Sequence, residues 1–181
     1  MLPLGIHAHR KFMTQIGLLS DTHGFLDQTI FAHFDKCDEI WHAGDVGTAQ
    51  IVDQLRGFKP VRAVFGNIDS PLIRSLIPEN QFFDLEGFRI WMTHIGGAPP
   101  NYNPAIKRQF KDDVPDIFIC GHSHILRVLR DQKLDNMWYL NPGAAGQEGF
   151  HKFRTLLRFV LDDGKMTKME VVELGKRGKL Q

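Results

Sequence analysis

Asp116-Ile117-Phe118-Ile119-Cys120-Gly121-His122-Ser123-His124 decides the reading of this chain: an apolar run of strand character stops at a glycine, and two imidazoles follow two residues apart. Four earlier segments end in the same way. Residues 16–20 run into Asp21-Thr22-His23, residues 39–43 into Gly44-Asp45, residues 61–65 into Gly66-Asn67, and residues 90–93 into His94. Five strand ends, each followed by a side chain that can bind a metal, are expected to converge on one site.

The segments between the first three strand ends have helical spacing. Asp27 is expected to cap a helix with Ile30, Phe31 and Phe34 on one face, and Thr48 one that carries Ile51, Val52 and Leu55. Asn103, with Pro104 at the first helical position, opens a third, in which Ile106 and Phe110 lie four apart. Strands alternating with helices indicate a βαβ arrangement with a largely parallel sheet. The second half reads as hairpins. Residues 81–85 and 88–93 flank Glu86-Gly87, and residues 155–161 and 166–174 flank Asp162-Asp163-Gly164-Lys165. Residues 125–130 and 137–140 are expected to pair across a longer loop. The fold class is therefore α/β, with two packed β-sheets flanked by helices.

A chain of 181 residues, 43% of them hydrophobic, fits one domain with a substantial core. Residues 1–12 have no strand or helix period, so they are expected to be a disordered leader with incidental His7 and His9, ahead of a single domain over 13–181. Lys plus Arg number 22 against 21 for Asp plus Glu, and a net charge of +1 provides no global field for nucleic acid or an anionic membrane. Two cysteines make no disulfide framework, and Cys120 lies within an apolar run, which fits a reducing, cytoplasmic setting. No run approaches the ~18 apolar residues that cross a bilayer. The basic end, residues 175–179, reads as a solvated tail without the aromatics of a nucleic-acid surface.

Asp21, His23, Asp45, Asn67, His94, His122 and His124 together offer two carboxylates, one amide oxygen and four imidazoles. Such a mixed set suits Mn, Fe, Zn, Ni or Co better than Ca or Mg, which prefer oxygen shells. Seven donors exceed the needs of one catalytic ion with open positions and suit two ions sharing a carboxylate, roughly 3.5–4 Å apart. In extended backbone, residues i and i+2 face one side, so Asp21 with His23, and His122 with His124, are each expected to present two groups together. Gly44, Gly66 and Gly121 allow sharp turns and close approach just before a donor.

Asp-x-His, Gly-Asp, Gly-Asn, His and Gly-His-x-His, in that order and over this length, closely resemble the calcineurin-like metallophosphoesterase superfamily, particularly its small single-domain phosphodiesterase branch. The resemblance implies a two-sheet sandwich flanked by helices. It also implies that Asp21, His23 and His124 hold one metal and Asn67, His94 and His122 the other, with Asp45 bridging. Asp45, Asn67 and His94 would then be catalytic, and two divalent ions, most simply Mn, would be the cofactors. The implied reaction is hydrolysis of a small phosphate ester by a hydroxide held between the ions, a diester being the first choice. A phosphomonoesterase, a nucleotide pyrophosphatase and a protein-binding scaffold resembling the retromer subunit are the alternatives. Asn141-Pro142-Gly143 resembles a late loop of the family that lies near its site.

Two departures stand out. Many relatives carry a histidine directly after the Gly-Asn pair, where this chain has Ile68, so protonation of the leaving group is unassigned and acidic leaving groups are expected to be favoured. Relatives usually place glycine after the next histidine, whereas here Ile95 intervenes before Gly96-Gly97. His42 reads either as a group that orients a ligand or as a partly buried strand histidine, and Asp69 as loop chemistry or as support for a neighbouring histidine. His33 and His151 are expected at the surface. Phe82, Phe83, Leu85, Phe88 and Trp91 make the first hairpin apolar enough to serve as a homodimer face as well as core.

Overall fold

A computed structural model describes residues 13–178. The expected leader, its His7 and His9, and Lys179 lie outside the described residues. The first half comprises β1 (Thr14–Leu19), α1 (Thr29–Phe34), β2 (Glu39–His42), α2 (Ala49–Phe58), β3 (Val61–Ala63) and α3 (Pro71–Leu76). It is followed by β4 (Asn80–Leu85), β5 (Phe88–Thr93), a small ribbon of β6 (Gly97–Ala98) and β7 (Asn101–Tyr102), α4 (Pro104–Asp112) and β8 (Ile117–Ile119). The chain closes with β9 (Arg127–Asp131), β10 (Met137–Asn141), β11 (Phe153–Asp162) and β12 (Lys165–Lys176).

The strands form two five-stranded sheets. The first has the order β12-β11-β1-β2-β3, with β1, β2 and β3 parallel, and the second the order β4-β5-β8-β10-β9, with β5, β8 and β10 parallel. In each sheet the parallel strands bring their carboxyl ends to one edge, where an α/β fold has loops and free backbone groups to offer.

Strand alternation sorts the side chains into layers. Ile16 and Leu18 of β1 and Ile117 and Ile119 of β8 point between the sheets, where they pack with Trp41, Ile90, Leu157 and Phe159. Leu19 faces the other way and packs with Ile30, Phe34, Ile51, Val52 and Leu55 beneath α1 and α2. Phe118 does the same on the second sheet, meeting Ile106 and Phe110 of α4 together with Trp91 and Tyr139. The order is thus helices, sheet, sheet, helix. No helix among the described residues is long and apolar enough to cross a membrane.

Local chemistry agrees with the sequence reading at Asn103 and differs from it at several other places. Asn103 accepts from Ala105 N at 2.9 Å, with Pro104 next to it. Asp27, the expected cap, stands one residue before the observed cap position, accepting from Thr29 N at 3.0 Å while Gln28 takes the cap position in helical conformation. Thr48 stands at its cap position without a side-chain bond, because its hydroxyl finds no helical N–H. α3 is an addition: Ser70 accepts from Ile73 N at 3.4 Å and Pro71 starts the helix, where only a loop was expected. The last hairpin turns tightly on Asp163-Gly164, whose φ values of 45° and 73° form a two-residue turn rather than a four-residue one. The basic end is a tail only in part, since β12 runs through Gly175 and Lys176 and Arg177 N donates to Lys152 O at 3.0 Å.

Candidate metal centre

Asp21 and His23 follow β1, Asp45 follows β2, Asn67 follows β3, His94 follows β5, and His122 and His124 follow β8. Backbone bonds carry the alignment past the strands. Asp21 N donates to Gly44 O at 2.9 Å, His23 N to Asp45 O at 3.0 Å, and Gly121 N to His94 O at 3.0 Å, the last within the second sheet. Between the sheets, His122 N donates to Asp21 Oδ1 and Oδ2 at 3.2 Å each. The strand ends that carry the seven expected donors thus meet at the same end of the two sheets.

The convergence does not arise from extended backbone. Asp21, His23, Asp45, His122 and His124 have φ of 55°, 48°, 54°, 67° and 57°, in the left-handed region. An extended chain would carry residue i+2 about 6.6 Å onward. A left-handed residue turns the chain back, so Asp21 meets His23 in one donor group, whereas His122 and His124 part to different groups. Asp and His tolerate this region better than most residues, yet each such position costs roughly 1–3 kcal/mol, and strain of this kind gathers at functional sites. Close approach adds to it: a Cβ on Gly66 would lie 2.0 Å from Asp45 Oδ1, and one on Gly121 2.1 Å from Ser20 Oγ.

The donors fall into two groups. In Asp21, His23 and His124, and again in Asp45, His94 and His122, one ligand atom from each residue lies within 4.8 Å of the others. In the first group, Asp21 Oδ1 is 3.1 Å from His124 Nε2 and 3.9 Å from His23 Nε2. In the second, Asp45 Oδ2 is 3.2 Å from His94 Nε2. The groups also touch, since Asp45 Oδ2 is 3.7 Å from His23 Nε2 and Asp21 Oδ1 is 4.0 Å from His94 Nε2. Asn67 is exposed and lines a cleft together with His94 of the second group.

The chemistry of these atoms fits divalent cations. The carbonyl of Ala43 only accepts, so His94 Nδ1 carries the proton of their 2.8 Å bond and Nε2 presents its lone pair. That Nε2 is buried without a hydrogen bond, although an Asp45 oxygen is 3.2 Å away. Burial alone would depress protonation of His94, but the Asp45 and Asp21 carboxylates outweigh it and raise its pKa. Burial likewise opposes ionisation of Asp45, and His94 more than offsets it. Buried negative charge facing imidazole lone pairs is what a divalent ion neutralises.

Supporting residues fix the loops. Asp69 accepts from Val46 N at 3.1 Å, Gly47 N at 2.7 Å and Gly66 N at 2.8 Å, so it ties backbone to backbone rather than supporting a histidine. His42 is the strand histidine of its two readings, more deeply buried than expected and bonded to no donor side chain: Nδ1 accepts from Gly44 N at 3.2 Å, which leaves Nε2–H to donate to Thr22 Oγ1 at 3.0 Å and so ties the Asp21 and Asp45 loops together. Asn141 donates to Gly121 O at 2.9 Å and to Ser123 Oγ at 3.1 Å, holding the His122 loop. His151 is half-buried rather than free at the surface. Its ring meets that of His124 edge-on at 5.2 Å, and its Nε2 donates to Gly146 O at 3.1 Å.

The mouth of the site is apolar. Ile68, Ile95 and Ile125 each follow a donor directly and are 46%, 39% and 59% exposed. Ile68 N donates to Asp45 Oδ1 at 3.1 Å, so its backbone serves the site while its side chain offers no proton.

Residues 14–164 match the model of the calcineurin-like phosphoesterase superfamily domain. The chain belongs to that superfamily. The phosphoesterase is 32% identical over 138 residues to a probable metallophosphoesterase of Mycoplasma pneumoniae, covering 73% of this chain and 79% of that one. Its fold is similar to that of an archaeal phosphodiesterase, with a TM-score of 0.70 and 19% identity over 88% of this chain and 99% of the other. Vps29 of Entamoeba histolytica in complex with zinc is a further neighbour, with a TM-score of 0.63 and 20% identity over 88% and 98% of the two chains. At those identities the likeness is one of fold. By family the chain is a metal-dependent phosphoester hydrolase.

Proposed function

We propose that this phosphoesterase is a dinuclear phosphodiesterase that acts on small phosphate diesters in the cytoplasm with two Mn-like ions. The observation that carries the reading is the pair of three-residue donor groups that touch through Asp45 and Asp21. Asp21, His23 and His124 would hold one ion and Asn67, His94 and His122 the other, with Asp45 between them. When bound, such ions hold phosphate oxygens, offset developing charge and bring the pKa of water toward ~7.

The chain's own residues do the rest. Ile68 N–H holds one oxygen of Asp45, which leaves the other turned toward His23 and His94. The Ala43 carbonyl keeps the proton of His94 on Nδ1 and directs Nε2 inward. Ile68, Ile95 and Ile125 around the mouth favour a substrate with a second ester arm over a monoester dianion, because an arm can cover apolar surface that a bare phosphate leaves wet. Ile68 has no proton to give a leaving group. General acid help is worth roughly 10²–10⁴-fold, so esters of nitrophenols should be cleaved far faster than alkyl esters.

The test assays metal-replete protein on a diester and a monoester of the same nitrophenol, beside Asp45→Ala. The expected result is turnover that chelator abolishes and Mn restores, faster on the diester and about 10²–10³-fold lower or less in the variant. Absence of metal-dependent turnover on both substrates overturns the enzyme reading. Intact turnover in Asp45→Ala overturns the shared carboxylate.

A further inference from the structure

A cleft of about 590 Å³ opens beside the metal centre, and Asn67 and His94 form part of its wall. That volume lies within the ~300–1,000 Å³ of small-molecule sites. Its far side has a composition that phosphate chemistry does not require. Phe82 and Trp91 stack at 5.0 Å with 26° between their planes, and Phe82 is 61% exposed although it is a large aromatic on a strand. Trp91 is held in place by its indole N–H, which donates to Asn80 Oδ1 at 3.0 Å. The inner face of the stack is thus fixed while the outer face of Phe82 is bare.

Around that face lie hydrogen-bonding groups in excess of what the fold uses. The exposed side chains of Gln109, from α4, and Glu79, just before β4, make no hydrogen bond among the described residues, and both line the cleft. Arg74 closes the wall nearest the donors, fixed by its bonds to the carbonyls of Asp69 at 2.8 Å and Asn67 at 3.2 Å and lying over the Phe65 ring. A flat apolar platform, uncommitted amide and carboxylate edges, and a fixed cation toward the phosphate end match one chemical class. A nucleobase stacks by its face and hydrogen-bonds by its edge, and its phosphate is attached at sugar distance. An acyl chain would make no use of the Gln109 and Glu79 polar groups, and a sugar would cover the flat ring less completely than a planar base does.

We infer that the cleft is a base subsite: Phe82 stacks the base and Gln109 reads its edge, so the favoured substrates are nucleoside phosphodiesters. This rests on the phosphodiesterase reading of the adjoining centre. Both residues would act as specificity determinants, outside the donor set.

The experiment compares thymidine 5′-(4-nitrophenyl phosphate) with methyl 4-nitrophenyl phosphate, which share a leaving group and differ only in the retained arm. The nucleoside ester should show kcat/KM about tenfold higher or more. Phe82→Ala and Gln109→Ala should each remove most of that preference, through KM, and leave the methyl ester unchanged. A second readout is calorimetric binding of adenosine and thymidine 5′-monophosphates against inorganic phosphate, with wild type binding the nucleotides more tightly and Phe82→Ala losing the difference. Equal turnover of the two esters by wild type overturns the base subsite and leaves the phosphodiesterase intact. No turnover of either ester overturns the phosphodiesterase, and the subsite then stands or falls on the binding difference alone. If Phe82→Ala instead splits a dimer while both KM values hold, Phe82 belongs to an interface and the subsite is overturned.

Discussion

The first sheet brings Asp21, His23, Asp45 and Asn67 to the site, three of them oxygen donors, whereas the second brings His94, His122 and His124, imidazoles only. The two halves are also secured differently. On the first sheet a buried carboxylate, Asp69, takes three backbone N–H groups from two loops, and buried His42 bonds Gly44 N and Thr22. On the second sheet Asn141 supports the His122 loop through neutral bonds, and His94 is oriented by Ala43, a first-sheet carbonyl. The oxygen half is therefore built as a charged, buried frame, and the imidazole half is placed against it. Concentrating negative charge on one side and neutral lone pairs on the other gives a cation a reason to sit at the seam.

Asp69→Ala should have the largest effect on this asymmetry. It strands three N–H groups in a buried place, at about 1–3 kcal/mol each before relaxation, and frees the loops of Asp45 and Asn67 together. The expected outcome is a loss of about 3–6 kcal/mol in urea unfolding with chelator present, together with a 10–100-fold weaker metal affinity. Asp69→Asn, which keeps the shape but not the charge, should fall between wild type and Ala. Loss of stability with unchanged metal affinity would separate Asp69 from the centre and break the comparison.

His42 tests the same half by pH. Burial pushes its pKa down from 6.5 to about 4, so on acidification the unfolded chain takes up the proton first. Its contribution is complete above pH 6.5 and declines as the pH falls toward 4, by about 2 kcal/mol between pH 7.5 and 5. Unfolding free energies in chelator over that range should show this slope in wild type and lose it in His42→Asn, which keeps an acceptor for Gly44 N. An unchanged slope in the variant would assign the acid sensitivity to other groups.

The first-sheet frame also marks how far sequence reasoning reached. Apolar runs that end in a donor, three of them through a glycine, located all five strand ends, because a buried parallel strand must be apolar and its carboxyl end carries the loop. Glu86-Gly87 and Asn103-Pro104 announced their turn and cap for equally local reasons. The left-handed backbone at five donors was not legible, since alternation speaks only of extended chain and the turns are imposed by bonds between loops. Asp69 depends on N–H groups more than twenty residues away in one of its two loops, and no local signal marks it. His151 reaches His124 from a loop with no apolar run before it. α3 was legible in principle, in Ser70-Pro71 with Ile73 three positions on, but only Ile73 of that helix is buried and the period is faint.

Asn141→Ala is the smallest change and the sharpest measure of the difference between the halves. Its side chain is fully buried and makes four bonds, to Gly121 O, Ser123 Oγ, Gly143 N and, weakly at 4.0 Å, Cys120 Sγ, all between neutral partners. Neutral bonds contribute roughly half as much as charged ones, so the loss should be about 1–2 kcal/mol, with metal affinity weakened about tenfold. Because the His122–His124 loop is the one donor loop that Asn141 bonds, the defect should appear as one weakened ion and one unaffected in a metal titration, if those histidines divide between ions and only one of them shifts. Weakening of both ions by the same factor would mean that the loop moves as a unit. A loss of stability as large as that of Asp69→Ala would show that the imidazole half is as firmly framed as the oxygen half, and the asymmetry between the sheets would then lie in their donors alone.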